Sequence, residues 1–198
     1  MDKYGTGQDP YCFPGTDILR NKLEILDEIE LEEAERELSL INADSIELSL
    51  PPYDFAYLKH LHHQLFHDLY NWAGEVRTID IAKGDTRFCN VNRIVPEAQK
   101  LFTKLAEKAY FTQLKKEDLI HACAELYGDL NVVHPFREGN GRAQRLFFEH
   151  LIINSGYQLS WHPLEHHEWI EANIAGYYCD YQPLALIFGR CIGPPLHD

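Results

Sequence analysis

Between His134 and Arg145 the chain reads His134-Pro135-Phe136-Arg137-Glu138-Gly139-Asn140-Gly141-Arg142-Ala143-Gln144-Arg145. Gly139 and Gly141 flank Asn140 at what reads as a helix start. N–H groups there lack an intrahelical acceptor, and the positive end of the helix dipole points outward. Missing side chains let an anionic ligand approach the backbone closely. Arg142 and Arg145 stand three apart, so they are neighbours on the first helical turns and can reach one anion together. The stretch reads as a socket for several negative oxygens, such as a polyphosphate. Glu138 in its midst repels phosphate unless a divalent cation sits between them. Its carboxylate is a hard ligand of the kind Mg²⁺ takes, with phosphate oxygens and water completing the octahedron. His134, at the far end, titrates in the range suited to taking a proton from a hydroxyl. Phe136, apolar in a polar loop, is expected to anchor it.

Such a loop needs firm elements on both sides. From about Lys116, Leu119, Cys123, Leu126, Tyr127 and Leu130 form one helical stripe. That helix should stop near Asn131, because Pro135 disfavours helix in the residue before it. After the loop, Leu146, Phe147 and Leu151 mark a buried helix face, and Gly156 its end. Upstream, helical signal starts after Thr16 or Asp17, both capable caps. Leu31, Ala34, Leu38 and Ile41 recur there among glutamates, an acidic run that reads as a solvated face. Pro51-Pro52 breaks the chain, Asp54 can cap a helix to about Trp72, and Gly74 ends it. Val76, Thr78, Ile79 and Ile81 favour strand, and Lys83-Gly84-Asp85-Thr86 supplies a turn, giving a short hairpin over 76–92. Further helices are expected from about Pro96 to Tyr110, over 164–174 and over 181–191. The expected class is all-α, a helical bundle with one short β-hairpin, in a single domain over 1–198. An extended arm over 1–15 packs onto it.

Composition narrows the function. The chain has 198 residues, 45% of them hydrophobic and 25% charged, an ordinary globular balance. Its 18 basic against 31 acidic side chains leave a net charge of -13. That repels nucleic-acid backbones and anionic membranes alike. Met1-Asp2-Lys3-Tyr4-Gly5 has no apolar core of a secretory leader, and no apolar run approaches membrane-spanning length. The five cysteines include no CxxC pair, which fits a reducing compartment. The expectation is a cytoplasmic protein, with delivery elsewhere as an effector left open.

Eight specified positions in the 134–145 stretch coincide by chance on the order of once in ten billion start sites, at one in twenty each. The stretch resembles the signature of the Fic family, H-P-F-x-[DE]-G-N-G-R-x-x-R, and meets every specified position. The resemblance implies a mainly helical Fic-type fold that transfers AMP from ATP to a Tyr, Ser or Thr hydroxyl of a target protein, releasing pyrophosphate. It implies that His134 deprotonates the hydroxyl and Glu138 holds Mg²⁺ against the α- and β-phosphates. Asn140 with the Gly139 and Gly141 N–H groups would cradle those phosphates, Arg142 would clamp the outer ones, and Arg145 would bind the γ-phosphate. The hairpin over 76–92 corresponds to the family's flap, where a target segment pairs by its main chain. Lys83, Gly84, Asp85 and Thr86 would sit at its tip near the nucleotide, and Tyr177 is a candidate for the adenine.

The related Doc branch, a kinase, carries lysine where this chain has Gly141, so the room at Gly141 favours AMP transfer. Asp9-Pro10-Tyr11, Pro14-Gly15 and Trp72-Ala73-Gly74 resemble the small bacterial Fic toxins that pair with a separate antitoxin. The self-inhibitory string [ST]-x-x-x-E-[GN] is approached by Thr103 to Glu107, but Lys108 breaks it. Inhibition is therefore expected in trans, from a small partner whose glutamate reaches Arg145. Family analogy makes the ATPase subunits of type II topoisomerases the leading targets. Alternatives are a Fic-fold transferase using UTP or a CDP-alcohol, or a silent module that binds peptides on the flap. His63 and His67 have metal-capable spacing, but surface or core roles are commoner for the cluster His60, His62, His63 and His67. Cys123 reads as a small core residue.

Overall fold

The computed structural model describes residues 9–84, 86–162 and 164–196, with the backbone of Asp2–Lys3. Its helices are α1 (Glu28–Asp44), α2 (Phe55–Phe66), α3 (Ile94–Glu107), α4 (Lys116–Val133), α5 (Asn140–Asn154), α6 (His166–Tyr177) and α7 (Gln182–Cys191). Their apolar faces share one core, in which Leu58, Leu61, Leu119, Phe147, Phe148 and Phe188 are fully buried. Strand β2 (Ile81–Lys83) pairs antiparallel with β3 (Thr86–Arg87) and, on its other edge, with β1 (Asp2–Lys3). A second pair joins β4 (Tyr157–Leu159) to β5 (Ile192–Pro195). Among the described residues no helix is long and apolar enough to cross a membrane. This is the expected helical bundle with a flap hairpin.

Several boundaries move, each for a local reason. Thr16 and Asp17 start no helix. The Thr16 hydroxyl donates to the Phe13 carbonyl at 3.1 Å and accepts the Ile18 N–H at 3.2 Å, bending the chain so that Cys12 bridges to Leu19. Asp27 is the cap that starts α1, accepting the Glu30 N–H at 3.0 Å. Ile41 faces outward, 65% exposed, while Leu31 and Ser39 turn inward. Asp54 caps α2 as expected, but α2 ends at Phe66 rather than Trp72. The flap strands are shorter than 76–92 suggests, because residues 77 and 78 bond elsewhere. The Arg77 N–H donates to the Pro135 carbonyl at 2.9 Å and the Thr78 N–H to the Tyr11 hydroxyl at 3.0 Å. The pairing of β4 with β5 was outside the expectation, since three residues after Gly156 are too few to display alternation.

Candidate active site

Helix α4 runs two residues past the expected stop and ends on His134, whose backbone is left-handed at φ 45°. Pro135 excludes a further helical residue, and histidine is among the few side chains that tolerate this region. His134 Nδ1 lies 3.1 Å from the Asn131 carbonyl, an acceptor, so Nδ1 carries the proton. Nε2 keeps its lone pair and is buried without a hydrogen-bond partner among the described residues. The ring stacks on Phe88 of the flap at 3.8 Å between centroids. Burial pushes the imidazole down to about 3, so it is neutral at neutral pH.

Behind His134 the loop is built to hold one shape. Phe136 is buried and stacks on His62 at 3.8 Å. The Asn140 amide accepts from the Phe136 N–H and donates to the Phe136 carbonyl, both at 2.8 Å. That side chain closes the loop and also lines the cavity over it, with one amide N–H beyond the bond to Phe136. Gly139 has φ +77°, and a Cβ there would lie 2.4 Å from the Phe66 ring. Only glycine fits. A Cβ on Gly141 would meet only the end of Arg145, at 3.5 Å, in keeping with the room expected there. Among the described residues no side chain caps α5, so the first N–H groups of its opening turn are left for a ligand. The Glu138 carboxylate accepts the Gly139 N–H at 2.9 Å.

Two residues passed over in the sequence support this loop. His62 Nδ1 accepts the Gly74 N–H at 2.8 Å, which fixes the tautomer, so Nε2–H donates to the Glu138 carbonyl at 2.9 Å. Burial pushes His62 down to about 3, and it stays neutral. Arg77 is 1% exposed. Its guanidinium donates to the His134 carbonyl at 2.8 Å, to Ile79 at 2.6 Å, to Val133 at 3.5 Å and to Cys89. One side chain thus ties both roots of the flap to the base of His134. The arm adds a third support through Asp9, which is paired with the buried Arg137 at 2.9 Å.

A cavity of about 390 Å³ opens over the loop, a size suited to a small organic ligand. His134, Glu138, Gly139, Asn140, Gly141, Arg142 and Arg145 form one wall, and Lys83, Thr86 and Phe88 of the flap another. Tyr127 and Asn131 of α4 with His166, Trp169, Ile170, Asn173 and Ile174 of α6 close it. Three cationic side chains against one carboxylate make this lining locally basic in an acidic chain. Tyr177 is not on the wall; α6 presents residues up to Ile174 instead, and Tyr177 packs edge-on against Tyr178. Gly84 turns the flap at φ 55° without lining the cavity, and Asp85 lies outside the described residues. Arg142 does not stand free, because Glu35 of α1 is paired with it. The acidic run on α1 is therefore not wholly a solvated face.

A family model described as "Fic/DOC family" matches residues 52–152, from the start of α2 through most of α5. The chain belongs to the Fic/DOC family. It is 42% identical over 191 residues to an Escherichia coli (strain K12) protein named "Probable protein adenylyltransferase Fic", covering 96% of each chain. It is 35% identical over 194 residues to "Protein adenylyltransferase VbhT" of Bartonella schoenbuchensis, covering 96% of this chain and 40% of that one. Among solved structures it is similar to the BepC protein of Bartonella tribocorum with bound AMPPNP. That match has a TM-score of 0.85 and 28% identity, and covers 93% of this chain and 96% of the other. The Fic fold thus runs through nearly all of the chain, including the cavity wall from α6.

Proposed function

We propose that this chain is a protein adenylyltransferase, moving AMP from ATP to a hydroxyl side chain of a target protein with release of pyrophosphate. The observation that carries the reading is the neutral His134, whose Nε2 is unpaired among the described residues, on the wall of a cavity lined by Arg142, Arg145 and a helix start that none of those residues caps. His134 Nε2 takes the hydroxyl proton as the oxygen attacks the α-phosphorus. The bond from that phosphorus to the bridging oxygen breaks, and pyrophosphate leaves on the side of the arginines. Positioning and charge stabilisation supply most of the rate in such transfers. Glu138 is the one carboxylate on the cavity wall among the described residues, a donor set suited to Mg²⁺, which takes one or two carboxylates and fills its shell with phosphate and water. Bound there, Mg²⁺ would neutralise phosphate charge. Tyr127 and Trp169 of the cavity wall are aromatic surfaces that the base would meet.

The target docks by strand addition to the flap; β1 and β3 take both edges of β2, so the added strand runs along the outer edge of β3 or replaces β1. Arg145 has no ion-pair partner among the described residues and faces the cavity, which supports inhibition by a glutamate supplied in trans. The string from Thr103 to Glu107 lies on α3, with Thr103 and Ala106 beside a different groove. Residues 1–198 act as one unit, in the cytoplasm. The test is labelling of a bacterial lysate, and of type II topoisomerase ATPase subunits, with ATP labelled at the α- or the γ-phosphate. Discrete bands with the α-label alone support the proposal. Bands with the γ-label or with UTP only would move the donor assignment, and silence with all donors would leave a binding module.

The low basicity of His134 has a kinetic consequence. An ordinary histidine, titrating near 6.5, loses roughly three-quarters of its neutral form by about pH 6. His134, held down to about 3 by burial, stays neutral throughout that range in the free enzyme. With Mg²⁺ in excess, kcat/KM for ATP should be flat from about pH 8 to about pH 5.5. Bound phosphates favour the protonated ring, so the acid limb of kcat should lie higher. Initial rates across that range check both.

A further inference from the structure

Glu35 differs from its neighbours on α1. Glu28, Glu30, Glu32, Glu33 and Glu37 face solvent, whereas the Glu35 side chain is 11% exposed and forms an ion pair with Arg142 Nη2. The same helix holds the rest of that guanidinium. Nη1 donates to the Glu35 carbonyl at 3.3 Å and to Ser39 Oγ at 3.1 Å, and the guanidinium lies 4.8 Å over the Phe66 ring. The second Glu35 oxygen accepts from the Tyr70 hydroxyl at 2.5 Å, and Tyr70 is itself buried and stacked on Trp72. The carboxylate is therefore fixed at both oxygens. Burying a carboxylate is costly even when it is paired.

A guanidinium has five N–H donors, and α1 takes three of those on Arg142. A resident carboxylate on one of the socket's two arginines cancels the charge that phosphates would meet and repels them directly. We propose that Glu35 is a built-in counter-ion that competes with the nucleotide's phosphates for Arg142 and so sets how tightly the site holds them. This rests on the polyphosphate reading of the socket. Arg142 then grips phosphate only with the donors left over, and Arg145 carries the uncancelled charge. Fast release of pyrophosphate follows from the same competition, because the carboxylate reclaims Arg142 as the product leaves.

The test is direct binding, so it does not depend on transfer. Affinities for ATP, ADP and adenosine are measured by calorimetry on the full chain, on Glu35→Gln and on Tyr70→Phe. Glu35→Gln keeps the shape and removes the charge, so ATP should bind about tenfold tighter, the scale of one partly screened charge at this range. ADP should tighten less and adenosine not at all. Tyr70→Phe leaves the charge in place and should stay within about twofold of the parent for all three. Glu35→Ala, compatible with the helix, carries the same prediction should the glutamine variant not fold. Equal or weaker ATP binding by the Glu35 variants overturns the proposal and leaves Glu35 as a support for Arg142. A parent chain that binds neither ATP nor ADP overturns the polyphosphate reading instead.

Discussion

His134→Ala should lower adenylyl transfer roughly a hundred- to ten-thousand-fold, the usual contribution of a positioned general base. ATP affinity should change little. The separation follows from the geometry. The ring is held by Asn131 and Phe88, whereas the phosphate side of the cavity is shaped by Asn140, Gly139 and the start of α5. Removing the ring takes away the proton acceptor and leaves the socket standing. His134→Asn is the sterner comparison, since an amide fills part of the space without a comparable base. Single-turnover transfer and ATP calorimetry on the same preparations check the pair. Loss of ATP binding with either variant would mean that His134 shapes the socket as well as serving it.

Arg77→Ala is the second large effect, and it falls on stability as well as rate. The substitution strands the carbonyls of Ile79, Cys89, Val133 and His134. An unsatisfied buried polar group costs about 1–3 kcal/mol, so a total loss of about 3 kcal/mol or more is expected after partial relaxation. For a chain of this size that lowers Tm by roughly 6–12 °C. Arg77→Lys separates the two roles. A single ammonium cannot reach the flap roots and the base of His134 together. It should fold with a smaller loss, keep ATP affinity, and raise KM for the target protein because the flap is no longer tied to the loop. Thermal melts with target titrations check this. An unchanged target KM in a destabilised Arg77→Lys would reduce Arg77 to a packing residue.

The motif was legible because its residues touch one another or their neighbours within a dozen positions. Pro135 ending α4, Gly139 at positive φ and the uncapped start of α5 are local demands, written where they act. The α2 cap at Asp54 and the stripe of α4 are local in the same sense. What the sequence hid is the set of contacts made at long range. Glu35 sits in an acidic run whose other members are solvated; its place four residues from both Leu31 and Ser39 puts it beside the buried face, a signal that the charge of the run masked. His62 stood in a cluster that invites a metal reading, yet its two nitrogens are committed to Gly74 and Glu138. Arg77 interrupts an alternation that favours strand, and that interruption was the available signal. Asp80, three residues on, pairs with the guanidinium at 3.9 Å, but most of the bonds of Arg77 go to backbone carbonyls, and backbone carries no sequence mark. Tyr177 failed for a simpler reason, since α6 turns that residue away from the cavity and shows it Trp169 and Asn173 instead.

The supports of the loop bear on how signatures are used to assign function to other chains. The twelve residues from His134 to Arg145 are held from behind by Asp9 on Arg137, by His62 on Glu138 and by Arg77 on His134, contributions from three separate stretches outside the signature. A chain that keeps every letter of the signature but loses those three has the reactive groups without the rigidity that aligns them. Misplacing a base by about an ångström can cost a factor of a hundred in rate. Catalogues that score the signature alone would count such a chain as active. A better rule reads the histidine, arginine and aspartate behind the loop along with it.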